Sequence, residues 1–152
     1  MPDSVRILLV EDNAKDLKLS LHALRTNNLS NCIDVARDGE EALDYIFCRG
    51  QHSGRSAESQ PRLVLLDLKL PKVDGLEVLR VMKADPRTKP IPVVILTSSK
   101  EESDVVAGYQ LGANAYIQKP VDFDHFHQVI KQLGLFWLVV NEPPPPAAFQ
   151  AR

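Results

Sequence analysis

What this chain lacks narrows it first. No apolar run approaches the roughly 18–20 residues a bilayer-spanning helix needs, so no membrane partner is expected. The N-terminal apolar stretch ILLV (7–10) runs straight into Glu11 and Asp12 and is too short for a secretion signal. The only cysteines, Cys32 and Cys48, make no disulfide framework and read as reduced thiols of a cytoplasmic protein. Neither sign of charge dominates. The formal net charge is -2 and no basic patch is visible, so nucleic acid is not an expected partner. His22, His52, His125 and His127 share no metal spacing with the acids and read as surface residues, none of them a phosphohistidine. What remains is ordinary for a globular protein. The chain is 44% hydrophobic and 25% charged over 152 residues, enough for one domain with a real core.

Apolar runs alternate with helical patterns. RILLV (6–10), IDVAR (33–37), RLVLLDL (62–68), IPVVILT (91–97) and ANAYIQ (113–118) read as strands. Between them, Leu17, Leu21 and Leu24 line one helical face, and Ala42, Leu43, Ile46 and Phe47 another. LEVLRVMKADP (76–86) reads as a helix stopped by Pro86. Ser99 and Glu102 suggest a capping box for a fourth helix that Gly112 ends. Phe126, Val129, Ile130, Leu133 and Trp137 line the last helix. A strand followed by a helix, five times over, implies an α/β fold: a five-stranded parallel sheet, doubly wound, with five helices. Two segments fall outside this pattern. RGQHSGRSAESQP (49–61) is a polar insertion expected to be a mobile loop, and NEPPPPAAFQAR (141–152) is a Pro-rich tail expected to be extended or flexible. Residues 1–140 are expected to form a single domain.

In such a sheet, binding groups gather beyond the carboxyl ends of the strands. Glu11 and Asp12 follow the first strand and Asp67 ends the third. Thr97 ends the fourth and Lys119 the fifth. Crowded carboxylates repel one another unless one protonates or a cation intervenes. Oxygen ligands of this kind suit Mg²⁺, which takes one or two carboxylates and keeps sites for water and phosphate. The Lys69 carbonyl, two residues past Asp67, could join them. Asp67 can then attack phosphorus as a nucleophile, with Lys119 and Thr97 stabilising the transferred group.

VEDN (10–13), LLDLKLPKVDG (65–75), ILTSS (95–99) and YIQKP (116–120), in this order on these strand ends, resemble the receiver domains of two-component response regulators. The resemblance covers about residues 5–135 and implies a flavodoxin-like fold with strand order 2-1-3-4-5. It implies that Asp67 accepts phosphate from a sensor histidine kinase, and that Glu11, Asp12, Asp67 and the Lys69 carbonyl bind Mg²⁺. Lys119 and Thr97 would contact the phosphoryl group. Thr97 and Tyr116 would act as the switch pair that alters the surface of the fourth helix, fifth strand and fifth helix. It further implies a cis Lys119–Pro120 bond.

With no room for an output domain, the chain is expected to be a stand-alone receiver and not an enzyme, acting by binding a partner or as a phosphate sink. The 49–61 insertion and the apolar continuation LGLFWLVVNEPP (133–144) resemble the small receivers paired with bacterial phytochrome kinases. An exposed Phe136–Trp137–Leu138 patch would favour a homodimer through the last helix and its extension. The rival reading is a Mg²⁺-dependent phosphatase with an aspartyl nucleophile. Such enzymes carry an acid two residues after the nucleophile, where this chain has Lys69. A flavin or nucleotide module would want a glycine- or hydroxyl-rich phosphate loop after the first strand, where this chain has Glu11, Asp12 and Asn13.

Overall fold

A computed structural model describes residues 7–26, 33–56 and 59–149. Five strands alternate with five helices: β1 (Ile7–Val10), α1 (Ala14–Thr26), β2 (Ile33–Ala36), α2 (Gly39–Ile46), β3 (Leu63–Leu66), α3 (Gly75–Ala84), β4 (Val93–Thr97), α4 (Glu102–Gln110), β5 (Ala115–Gln118) and α5 (Phe123–Leu135). All neighbouring strands pair in parallel, in the order β2-β1-β3-β4-β5. The expected architecture is therefore the observed one.

The apolar strands are explained by cover on both faces. Leu8, Val10, Val64, Leu66, Val93 and Ile95 point to one side, against Ala42, Leu43 and Ile46 of α2 and Val78, Leu79 and Met82 of α3. The alternate residues Ile7, Leu9, Leu63, Leu65, Val94 and Leu96 meet Leu17 and Leu24 of α1 and Phe126, Ile130 and Leu133 of α5. A strand buried on both faces has no polar side to alternate with. Central β1, β3 and β4 are buried throughout, whereas the outer β2 and β5 are half-buried. Two glycines set close approaches. A Cβ on Gly75 would overlap the Asp67 carbonyl, so glycine lets the start of α3 rest against the end of β3. Gly112 turns the chain out of α4 at φ +108, open to glycine and strained for other residues.

Local expectations need several corrections. Ser99 is not the N-cap of α4. That position belongs to Glu101, which makes no side-chain cap bond. The Ser99 hydroxyl instead donates to Asp104 Oδ2 at 2.6 Å, because a carboxylate one turn into the helix is the stronger acceptor. In the 49–61 segment, expected as a mobile polar loop, the described residues make a short 3₁₀ turn at Gly50–His52 and gather about the Arg55 guanidinium. That guanidinium lies 3.7 Å over the Tyr45 ring and donates to the carbonyls of Tyr45 and Ser59.

Beyond α5 the helix continues as a π-helical turn, Phe136–Val140. Within the expected apolar patch Leu138 is buried and Trp137 half-buried; the Arg62 guanidinium donates to the Leu138 carbonyl at 3.2 Å. The exposed apolar side chains there are Leu135, Phe136, Val139 and Val140. The tail carries a 3₁₀ turn at Pro146–Phe149, with Phe149 packed against the α2–α3 core. Among the described residues no peptide bond is cis, Lys119–Pro120 included, in keeping with the general trans preference. Cys32 lies outside the described residues.

Candidate functional site

The carboxyl edge of the sheet assembles the site. Each strand end is followed by a short loop into the next helix, so Glu11, Asp67, Thr97 and Lys119 leave four adjacent strands at one rim. Carboxylate oxygens of Glu11, Asp12 and Asp67 lie within 4.8 Å of one another. Glu11 and Asp67 are buried and Asp12 is exposed at the mouth.

Lys119 reaches in beside them. Its ammonium lies 2.9 Å from Glu11 Oε1, 2.9 Å from Asp67 Oδ2 and 2.7 Å from Asp16 Oδ2. Its side chain is 8% exposed. Burial by itself favours loss of its proton, but its hydrogen bonds to Asp16, Glu11 and Asp67 overcome that cost and hold it above the usual lysine range. Burial also works to raise the pKa of Asp67, but Lys119, aided by the Thr97 hydroxyl and Glu11, holds it below its ordinary value. Glu11 goes the other way. Burial pushes its carboxyl up to about 7 despite Lys119, with the Asp67 charge adding to the rise. One acid of the pair is thus kept ionised and its neighbour is easily protonated, the expected outcome for like charges sharing one cation.

The other candidates lie around this centre. Thr97 is fully buried, and its carbonyl receives the Lys119 N–H at 2.7 Å. Lys69 has an exposed side chain and offers its backbone N–H to Asp67 Oδ1 at 3.4 Å. Tyr116 stands apart from the acids, its hydroxyl donating to the Ser99 carbonyl at 2.9 Å. Its ring packs against α4 where Gly108 leaves space: a Cβ there would come 3.3 Å from the ring and 2.8 Å from Ile95. Asp16 was missed from the sequence, where it reads as an acid favoured in a helix's first turn.

This geometry can bring an anionic oxygen acceptor, a nucleophilic carboxylate and a buried cation to one point. A model of the response regulator receiver domain matches residues 7–131. The chain belongs to that family. Its similarity to individual receivers extends over nearly the whole chain. It is 41% identical to the probable methanogenesis regulatory protein FilR2 of Methanothrix harundinacea (strain 6Ac), over 95% of this chain and 91% of that protein. It is 39% identical to response regulator Rcp1 of Synechocystis (strain ATCC 27184 / PCC 6803 / Kazusa), over 87% and 88%.

Among solved structures, the bacteriophytochrome response regulator RtBRR is 53% identical with a TM-score of 0.74, covering 95% of this chain and 86% of that one. The phosphorylated cyanobacterial phytochrome response regulator RcpA gives 39% and 0.86, covering 93% and 99%. The Mn²⁺-bound form of Rcp1 gives 37% and 0.85, covering 92% and 99%. This receiver is a signalling domain with an acidic pocket of the kind that binds a divalent metal. No helix among its described residues is long and apolar enough to cross a membrane.

Proposed function

We propose that Asp67 of this receiver takes the phosphoryl group of a phosphohistidine on a sensor histidine kinase. A carboxylate oxygen of Asp67 forms the new O–P bond. The P–N bond breaks, and the imidazole leaves with its electron pair and takes up a proton. The observation carrying this reading is the Asp67–Lys119 contact at 2.9 Å, inside a group of three carboxylates that an ion can bridge. Burial keeps competing water from the nucleophile, and Lys119 keeps it ionised.

Glu11, Asp12, Asp67 and the Lys69 carbonyl would hold Mg²⁺; their hard oxygen donors fit that ion. When bound it supplies positive charge that offsets the carboxylates and the incoming phosphate. Lys119 and the Thr97 hydroxyl meet the transferred oxygens.

A new phosphoryl group brings roughly -1.5 to -2 charges to a place where Lys119 and Thr97 are already engaged with Asp67. Turning Thr97 toward it frees space on the Tyr116 side of β4. The ring can fill that space once its hydroxyl leaves Ser99. Moving such an equilibrium from 1:99 to 99:1 takes about 5.5 kcal/mol, which a few charge-assisted hydrogen bonds of roughly 1.5–3 kcal/mol each supply. The readout is an altered α4–β5–α5 surface.

The kinase partner is a bacterial phytochrome, on the strength of the similarity to the bacteriophytochrome response regulator RtBRR and the cyanobacterial phytochrome response regulator RcpA. The exposed Leu135, Phe136, Val139 and Val140 support a homodimer through α5 and its extension. Acetyl phosphate with Mg²⁺, followed by intact mass measurement, tests the phosphoacceptor. The wild type gains one phosphoryl group and Asp67→Asn gains none. An adduct on the Asn variant would remove Asp67 from the role. Sedimentation showing only monomer at high micromolar concentration would remove the dimer.

A further inference from the structure

An ammonium has three N–H bonds, and Lys119 spends all three on carboxylates. Two acceptors, Glu11 and Asp67, belong to the acid group that can hold a metal; the third, Asp16, does not. Its contact, 2.7 Å, is the shortest of the three. Asp16 is also the most exposed of the three acceptors, at 23% against 3% and 8%.

Its position is braced by a closed circuit. The Asp16 N–H donates to Asn13 Oδ1 at 3.0 Å, and the Asn13 N–H donates to Glu11 Oε2 at 3.2 Å. Glu11 Oε1 returns the circuit to Lys119. The first turn of α1 is thereby tied to the β5–α5 loop through one ammonium.

The Glu11 and Asp67 contacts are open to competition. A metal draws both carboxylates, and phosphorylation converts the Asp67 carboxylate into an acyl phosphate. Asp16 is outside that competition and keeps its hold. We propose that Asp16 is a positioning residue for Lys119: it tethers the ammonium to α1 and withholds part of its charge from the phosphoryl group. The inference deepens the phosphoacceptor reading and rests on it. In this role Asp16 is a restraint. A unit negative charge beside the cation opposes the approach of an anionic donor, and opposes a dianion more than a monoanion.

The test measures phosphorylation rates at neutral pH with Mg²⁺ and two small donors, dianionic acetyl phosphate and monoanionic phosphoramidate. In either reaction Asp67 oxygen bonds to phosphorus as acetate or ammonia leaves. Asp16→Asn keeps the shape and an acceptor but loses the charge. It is expected to speed acetyl phosphate on the order of fivefold and phosphoramidate less than about twofold, as for removal of one partly screened charge. Asp16→Glu keeps the charge and stays near wild type with both. Asp16→Ser repeats the charge removal should the Asn variant melt early.

In chelator, with no metal or phosphate present, Asp16→Asn also raises acetylation of Lys119 by acetic anhydride above that of Asp16→Glu. Equal rates for wild type and the neutral variants, equal acceleration with both donors, a slower reaction, or unchanged acetylation overturns the tether. If the wild type itself takes no phosphoryl group from either donor, the phosphoacceptor reading falls first.

Discussion

Lys119 at the carboxyl edge of the sheet and Lys83 at the corner between α3 and β4 meet the same obstacle. For each, burial is the largest influence, and it favours loss of the proton. Lys119 is surrounded by three carboxylates and stays charged beyond the usual range. Lys83 has the backbone carbonyls of Lys89 and Ile91 at 2.8 and 2.6 Å, with the Lys89 charge opposing it, and its pKa falls to about 8. Dipoles alone do not repay the lost hydration of an ammonium, whereas full charges do. The edge of the sheet holds its lysine as a full charge among acids, and the corner uses its lysine as a staple that closes a turn.

The largest effect should come from Lys119→Met. In chelator it leaves buried acids without their cation, and denaturant unfolding should show a loss of about 3–5 kcal/mol. Added Mg²⁺ should restore part of that loss, because the metal replaces the missing charge.

Next comes Glu11→Gln, again without metal. The folded carboxyl has a pKa of about 7 against an ordinary 4.5, so the folded state holds more protons between those values. Wild-type stability from this group is present below pH 4.5 and drains away as pH rises through 7. The Gln variant should therefore gain on wild type more at pH 8 than at pH 5 in matched thermal melts, and a constant difference would contradict the raised pKa.

Lys83→Met should matter less, and with the opposite pH dependence. Between about 8 and 10.5 the unfolded state binds more protons at Lys83 than the folded one, so wild-type stability from this residue rises with pH through that window. The Met variant should lack that rise. The smallest effect should be Glu77→Ala, which breaks the exposed Glu77–Arg80 pair at 2.5 Å on α3. Its denaturation midpoint should stay within error of wild type, since solvent already screens both partners.

How much of this was legible beforehand differs by element. The strands were, because burial on both faces demands apolar runs and only β1, β3 and β4 carry them unbroken. Strand-end acids, hydroxyl and lysine were legible because the loops joining strands to helices are short, leaving those residues at the rim. Asp16 was not. Its partner is 103 residues away, and nothing in the local pattern distinguishes it from any acid opening a helix. The stacking of Arg55 on Tyr45 was hidden for the same reason, since the ring that receives the guanidinium belongs to α2. Ser99 misled because its capping spacing is a local rule, while Asp104 offered a stronger acceptor in space.

By itself, the order of residues determined the alternation of elements, the parallel sheet and the set of charged groups delivered to its carboxyl edge, because these follow from hydrophobic periodicity and chain connectivity. Tertiary structure alone decided which acid stays ionised, which approaches neutrality, and which third carboxylate shares the lysine. Those depend on distances of a few ångströms and on exclusion of water, and both arise only when segments far apart in the chain are packed together.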